Sequence, residues 1–144
     1  MSNIFIPDAE LRRKFRRQMD AAGVSQLGIM GLTACEAAYT KGEEWYQAMH
    51  GYVKANIAYT RQYVEENLPG VRMVEHEGTY LVWLDFRGTG LDEKALEHKI
   101  IQEAKLWLDD GAMFGEGGSG FQRVNAACPR KILVEALDRI KAVL

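Results

Sequence analysis

The chain has 144 residues, of which 47% are hydrophobic and 26% charged, and a formal net charge of −2. This composition is typical of a globular domain with its own core, and the small charge argues against a nucleic-acid-binding or membrane-binding surface. No apolar stretch approaches the roughly 18 residues that span a bilayer, and no signal peptide is recognised. Cys35 and Cys128 form neither a CxxC pair nor a disulfide framework, which favours a reducing cytoplasm.

Two helices are predicted before residue 42. The first opens at Pro7-Asp8 and ends at Gly23, and its apolar face carries Leu11, Phe15, Met19 and Ala22. The basic residues at 12–17 on its other face predict a solvated surface, because no aromatic platform for nucleic acid accompanies them. Small apolar residues from Ser25 to Thr40 predict a second, tightly packed helix.

One long amphipathic helix is predicted over residues 43–67, before Pro69-Gly70. At about 1.5 Å per residue it would be nearly 40 Å long. Its predicted apolar stripe contains Trp45, Met49, Val53, Ile57 or Thr60, Tyr63 and Val64.

The remainder predicts a compact α/β unit of the two-layer α+β kind, a small sheet with helices on one side. Strands are expected over 71–75, 80–86, 106–109 and 121–127. A helix capped by Asp92 should run to about residue 105. Pro129 fits the first turn of a last helix with an inward stripe of Leu133, Leu137, Ile140 and Leu144.

Arg123 is the most informative single residue, because it lies in an apolar strand-like segment behind a glycine-rich turn. An unpaired buried guanidinium is costly, so Arg123 needs an anionic partner. No acid lies within four residues after it, and the nearest before it is Glu116, in the turn. A guanidinium held in this way suits bidentate binding of a ligand carboxylate, and a structural ion pair with a distant Asp or Glu is the alternative.

Other chemical motifs are weak. Residues 115–120 match the letters GxGxxG, but a dinucleotide motif needs a strand before it and a helix after it, whereas a strand follows here. We therefore interpret this run as a mobile turn. His50, His76 and His98 lack metal-ligand spacing, and neither cysteine has a paired base nearby.

Three segments carry a family resemblance when they are taken together. Residues 120–130 read Gly-Phe-Gln-Arg-Val-Asn-Ala-Ala-Cys-Pro-Arg, residues 77–85 read Glu-Gly-Thr-Tyr-Leu-Val-Trp-Leu-Asp, and residues 107–115 read Trp-Leu-Asp-Asp-Gly-Ala-Met-Phe-Gly. The first resembles the C-terminal signature of class I/II pyridoxal-phosphate (PLP) aminotransferases, the fold-type I enzymes. Its Cys-Pro-Arg ending and the other two segments are similar to the cystathionine β-lyase/C–S lyase subgroup.

The resemblance implies a C-terminal fragment of a larger enzyme. Residues 2–8, Ser-Asn-Ile-Phe-Ile-Pro-Asp, resemble the subgroup's segment after the cofactor lysine, and no Ser-Lys-Thr-Phe-Asn-like motif occurs in the chain. Residues 1–42 would then be a helical remnant of the large PLP domain. Residues 43–144 would be the long interdomain helix and the small C-terminal domain. The fragment alone is expected to bind no cofactor and to be inactive.

The resemblance also implies site residues and a reaction. Arg123 would grip the substrate α-carboxylate, Tyr80 would line the pocket, and Ser25 and Gln26 would approach the neighbouring subunit's active site. The parent would use PLP on an upstream lysine to eliminate a thiol from a small amino acid, leaving pyruvate and ammonia. Aminotransfer is the alternative within enzymes, and a non-catalytic binding or regulatory domain is the alternative from another class.

Partners follow from the same resemblance. The parent is expected to be a cytoplasmic homodimer that binds neither nucleic acid nor membrane. Without the sheet of the large domain, the apolar faces of residues 1–42 would meet water, so self-association of the fragment through residues 1–64 is also expected.

Overall fold

The computed structural model describes residues 2–24 and 26–144. They form five α-helices and four short strands, in the order α1 (Ala9–Ala21), α2 (Ile29–Lys41), α3 (Glu43–Asn67), β1 (Arg72–Met73), β2 (Leu81–Asp85), α4 (Glu93–His98), β3 (Asp109–Asp110), β4 (Phe121–Asn125) and α5 (Arg130–Val143). A π-helical turn, Lys99–Glu103, continues α4, and short 3-10 helices cover Arg87–Thr89, Gly111–Phe114 and Glu116–Gly118.

The chain divides into two compact units, Met1–Ala48 and Met49–Leu144, and the division falls inside α3. In the first unit, Asp8 caps α1 by accepting a hydrogen bond from the Leu11 amide at 2.7 Å. Neither α1 nor α2 contains a buried residue. The predicted close packing of the second helix is therefore wrong, and this helix begins at Ile29 rather than near Ser25.

The second unit is built around a four-stranded antiparallel sheet of order β1-β2-β4-β3. Side chains alternate across each strand, so Val82 and Leu84 of β2 and Val124 of β4 are buried on one face. These residues join buried side chains of α3, α4, the π-helical turn and α5 in a single core, among them Val64, Leu96, Ile100, Leu133, Leu137 and Ile140. The predicted small sheet with helices on one side is confirmed.

Helix α3 has the predicted bounds, but its predicted apolar stripe is buried only from Val53 onwards. Val53, Tyr63 and Val64 are buried, whereas Trp45 is 70% exposed. Two polar residues, Asn56 and Thr60, are completely buried on the same side of the helix. No helix among the described residues is long and apolar enough to cross a membrane.

Several predicted boundaries differ from the structure. The strands are shorter than expected because only residues with a neighbouring strand can complete a hydrogen-bond ladder, and β3 lies at 109–110 rather than 106–109. The helix capped by Asp92 changes to a π-helical turn after His98. Pro129 precedes α5 as its N-cap instead of lying in the first turn, and Leu144 at the end of the predicted stripe is 41% exposed.

Candidate functional site on the open face of the sheet

Arg123 lies on the face of the sheet opposite the α-helices of the second unit. In β4, Gln122 and Val124 point to the core, so Arg123 between them points to the opposite face. The sheet register places Arg123 between Trp83 of β2 and Asp109 of β3. The central strand therefore presents the guanidinium between an aromatic side chain and a carboxylate.

Asp109 is the anionic partner that Arg123 requires. Its Oδ2 atom accepts hydrogen bonds from Nε of Arg123 at 3.0 Å and from Nη2 at 2.6 Å. The Arg123 side chain is 25% exposed and that of Asp109 is 43% exposed. The alternative of a structural ion pair with a distant acid is thus present in the structure, and it leaves the guanidinium within reach of solvent.

One aromatic ring covers a face of the guanidinium, and two further rings pack beside it. The guanidinium carbon of Arg123 lies 4.5 Å from the centroid of the Phe114 ring, within cation–π range. Trp83 packs edge-on against Phe114 at 5.3 Å and against Phe121 at 6.1 Å between ring centroids. These three rings form one wall of an open cleft of about 520 Å³, which is lined by Val74, Trp83, Phe114, Gly115, Glu116, Gly117, Gly118 and Phe121.

The glycine-rich run holds Phe114 in this wall. Asp110 accepts a hydrogen bond from the Ala112 amide at 2.8 Å and so caps the 3-10 helix that ends at Phe114. Gly111 and Gly118 approach so closely that a Cβ atom at residue 118 would lie 1.9 Å from the carbonyl oxygen of Gly111. Only glycine fits such an approach. Residues 111–118 form two 3-10 helices, and strand β4 follows them. A dinucleotide motif would need a helix after the glycines, so this run does not fit one.

A second charge cluster lies at the other end of the same face. Asp85 is buried and accepts hydrogen bonds from Arg87 at 2.9 and 2.8 Å and from Arg72 at 3.2 Å. The hydrogen bonds from Arg87 are the main reason why the pKa of Asp85 falls to about 2. The Asp85 carboxylate thus holds both Arg72 and Arg87 at this end of the sheet. The guanidinium carbon of Arg87 lies 4.5 Å from the centroid of the Phe121 ring, so the cluster also packs against the aromatic wall.

The segment after β4 is attached to α3 by a buried amide that the sequence pattern did not predict. Asn56 donates hydrogen bonds to the carbonyl oxygens of Ala126 and Cys128, both at 2.8 Å, and its Oδ1 atom accepts one from Nε of Arg130 at 2.7 Å. The Arg130 guanidinium also stacks over Tyr59 at 4.5 Å. The Cys-Pro-Arg ending of the motif therefore has a structural function, which is to fix β4 and α5 to the long helix.

The structure does not bring the other predicted site residues to Arg123. Tyr80 is 47% exposed just before β2, and its carbonyl oxygen accepts a hydrogen bond from the Ala126 amide. Arg123 pairs with Trp83, so Tyr80 lies three residues away from it in register, about 10 Å along the strand. Gln26 is exposed between α1 and α2 in the first unit. Ser25 lies outside the described residues.

No metal-binding group of three or more His, Cys, Asp or Glu side chains exists in residues 2–24 and 26–144. The cleft also does not fit PLP, because the residues that line it supply no lysine amine and no cation for a phosphate, and Glu116 adds a negative charge. What the face does offer is a guanidinium beside an aromatic wall, which suits the carboxylate of a small ligand.

Comparison with known proteins identifies the relatives of this chain. No family model matches the chain. Cystathionine beta-lyase PatB of Bacillus subtilis is 37% identical over 143 residues, which cover 99% of this chain and 37% of that protein. The chain is homologous to the C-terminal part of cystathionine β-lyases. It thus spans little more than a third of the length of such relatives.

Solved structures of PLP-containing proteins share this fold. Cystalysin from Treponema denticola, whose crystal structure contains PLP, matches with a TM-score of 0.92 at 34% identity, over 99% of this chain and 36% of that one. A PLP-bound putative aminotransferase from Clostridium difficile 630 matches with a TM-score of 0.90 at 39% identity, over 94% of this chain and 35% of that one. The predicted resemblance to the small C-terminal part of fold-type I PLP enzymes is confirmed.

Proposed function

We propose that this chain is the substrate-carboxylate-binding part of a longer PLP-dependent C–S β-lyase that acts on a small amino acid. Residues 1–42 would belong to the large cofactor domain and residues 43–144 to the interdomain helix and the small domain. The observation that carries the proposal is the Arg123 guanidinium, held at the centre of an open sheet face in a chain homologous to cystathionine β-lyases.

The function of Arg123 would be to bind and orient the substrate. A guanidinium offers two parallel N–H groups to a carboxylate, and two such hydrogen bonds fix both the position and the rotation of the amino acid. Fixing the amino acid in this way holds its Cα–H bond in the direction needed for its removal. The cofactor and the lysine that binds it would come from the remaining part of the longer protein, since the cleft of this chain does not fit PLP.

The test is Arg123→Lys in the full-length enzyme. Replacing a bidentate charge-assisted contact with a single ammonium should lower kcat/KM, and the decrease corresponds to a loss of about 2–4 kcal/mol of transition-state stabilisation. The visible absorbance of the bound cofactor should not change, because the guanidinium contacts substrate rather than PLP. Unchanged kinetics, or loss of the cofactor instead, would make Arg123 a purely structural partner of Asp109.

Aminotransfer is the second candidate, and the likeness to a putative aminotransferase at 39% identity favours it. The same arginine would serve both reactions. The full-length enzyme should release pyruvate and ammonia from a cysteine S-conjugate without any 2-oxo acid if it is a lyase. A strict requirement for a 2-oxo acid acceptor would make it an aminotransferase, and absence of both activities would favour a non-catalytic binding domain.

The remaining assignments concern the assembled enzyme. Tyr80 would line the substrate pocket from the rim of the sheet, and Ser25 and Gln26 would approach the active site of a second subunit in a cytoplasmic homodimer. Alanine substitutions test the two assignments separately. Tyr80→Ala should raise the KM of the subunit that carries it. The defect of Gln26→Ala should instead be complemented in mixed dimers that carry one intact copy.

A further inference from the structure

The contacts of Arg123 divide its five N–H donors into two groups. Asp109 takes the edge formed by Nε and Nη2 with a single oxygen atom. The Phe114 ring covers one face of the guanidinium plane at 4.5 Å. Within the described residues, none of the contacts of Arg123 uses Nη1.

We propose that Asp109 is a positioning residue, which holds the Nε–Nη2 edge of Arg123 and thereby assigns the Nη1–Nη2 edge to the carboxylate of the ligand. This inference rests on the function proposed for Arg123. A guanidinium has two edges that can each bind a carboxylate with two parallel hydrogen bonds. With one edge on Asp109 and one face on Phe114, the ligand carboxylate has a single bidentate approach left.

The main-chain geometry supports a fixed position for Asp109. Asp109 and Arg123 are directly paired in the ladder between β3 and β4, so both side chains leave the sheet on the same face. The next residue, Asp110, starts the 3-10 helix that carries Phe114. Strand β3 is thus connected within a few residues to both groups that orient the guanidinium.

The charge of Asp109 has a second consequence for the ligand. Because Asp109 already pairs with Arg123, the site is close to neutral, and a simple carboxylate bound there would give it a net negative charge. The ammonium group of an amino acid, next to its own carboxylate, offsets that charge. Asp109 thereby favours zwitterionic ligands over simple carboxylic acids.

The experiment is an acetate titration of the full 144-residue chain, followed in ¹H–¹⁵N spectra tuned to arginine side chains. Acetate should shift the Nη signals of Arg123 and leave its Nε–H signal in place with slow solvent exchange. A shift of the Nε–H signal in the unmodified chain would overturn the inference, because it would mean that the ligand displaces Asp109.

Asp109→Asn gives the matched perturbation, with Glu77→Gln as a charge-matched control at an exposed residue of the same unit. Losing a charged acceptor should speed Nε–H exchange about ten- to a hundredfold, and acetate should then shift the Nε–H signal as well. Asp109→Ser should behave in the same way, which guards against a folding defect specific to the asparagine variant. The control should match the unmodified chain.

Two further outcomes distinguish this inference from the proposed function. If acetate moves the Arg123 signals identically in the unmodified chain and in both Asp109 variants, Arg123 binds carboxylates but Asp109 does not position it. If saturating acetate moves no Arg123 signal in any variant, the carboxylate-binding function of Arg123 fails, and the inference fails with it.

Discussion

Asn56→Ala should destabilise the second unit far more than a typical helix substitution. Asn56 is completely buried and satisfies two backbone carbonyl groups and the Nε–H group of Arg130. Leaving a buried polar group without a partner costs about 1–3 kcal/mol, and more when the group is charged. The hydrogen bond to Ala126 is buried and the other two are partly buried, so water can replace some of what is lost. The expected loss is about 2–4 kcal/mol, a large part of the stability of a small domain.

Urea denaturation, followed through the indole N–H signal of Trp83, measures this loss within the second unit. Gln62→Ala is the matched control, because Gln62 lies on the same helix and its amide donates a hydrogen bond to Glu66 in an exposed position. We expect the control to cost less than about 0.5 kcal/mol. If Asn56→Ala and Gln62→Ala differ by less than about 1 kcal/mol, the attachment of the Cys-Pro-Arg segment through Asn56 is not a main source of stability.

Three further outcomes are expected. The pKa of Asp85 falls from 3.8 to about 2 on folding, so its ion pairs stabilise the unit fully above about pH 4 and lose that contribution as the pH falls towards 2. Asp85→Asn should therefore be less stable than the unmodified chain at neutral pH, and the stabilities of the two should converge in unfolding curves measured in acid. The isolated chain should self-associate at micromolar concentration, because Leu11 is 57% and Phe15 37% exposed, and sedimentation should show less association for Phe15→Glu; a monomer would contradict this. Borohydride reduction of the isolated chain with PLP should label no single lysine stoichiometrically, as mass spectrometry would show, since the motif of the cofactor lysine is absent.

Local patterns predicted most of the helices. Helix α3 and its stop at Pro69-Gly70 follow from a long amphipathic period and a strong breaker, and the cap at Asp92 follows from its side-chain chemistry. Strand β2 followed from a run of apolar residues that prefer strands. These signals depend on residues close together in sequence, which is why they could be interpreted without knowledge of the fold.

The partners of Arg123 and Arg130 could not be predicted, because they depend on tertiary register. Asp109 lies fourteen residues before Arg123 and meets it only because β3 pairs with β4 in one particular alignment. Asn56 is 74 residues from Arg130. One local signal did exist: Asn56 interrupts the apolar side of α3 between Val53 and Thr60, and a buried amide in such a position needs partners.

The contact between Gly111 and Gly118 sets how far the rim of the cleft can be redesigned. A side chain at either position would collide with the main chain, and Gly115 has a φ of +122° that disfavours any other residue. Gly117 also lines the cleft, yet a Cβ atom there would meet nothing within 4 Å. A library restricted to residue 117 would therefore vary the shape and polarity of the cleft while the turn and Phe114 keep their places.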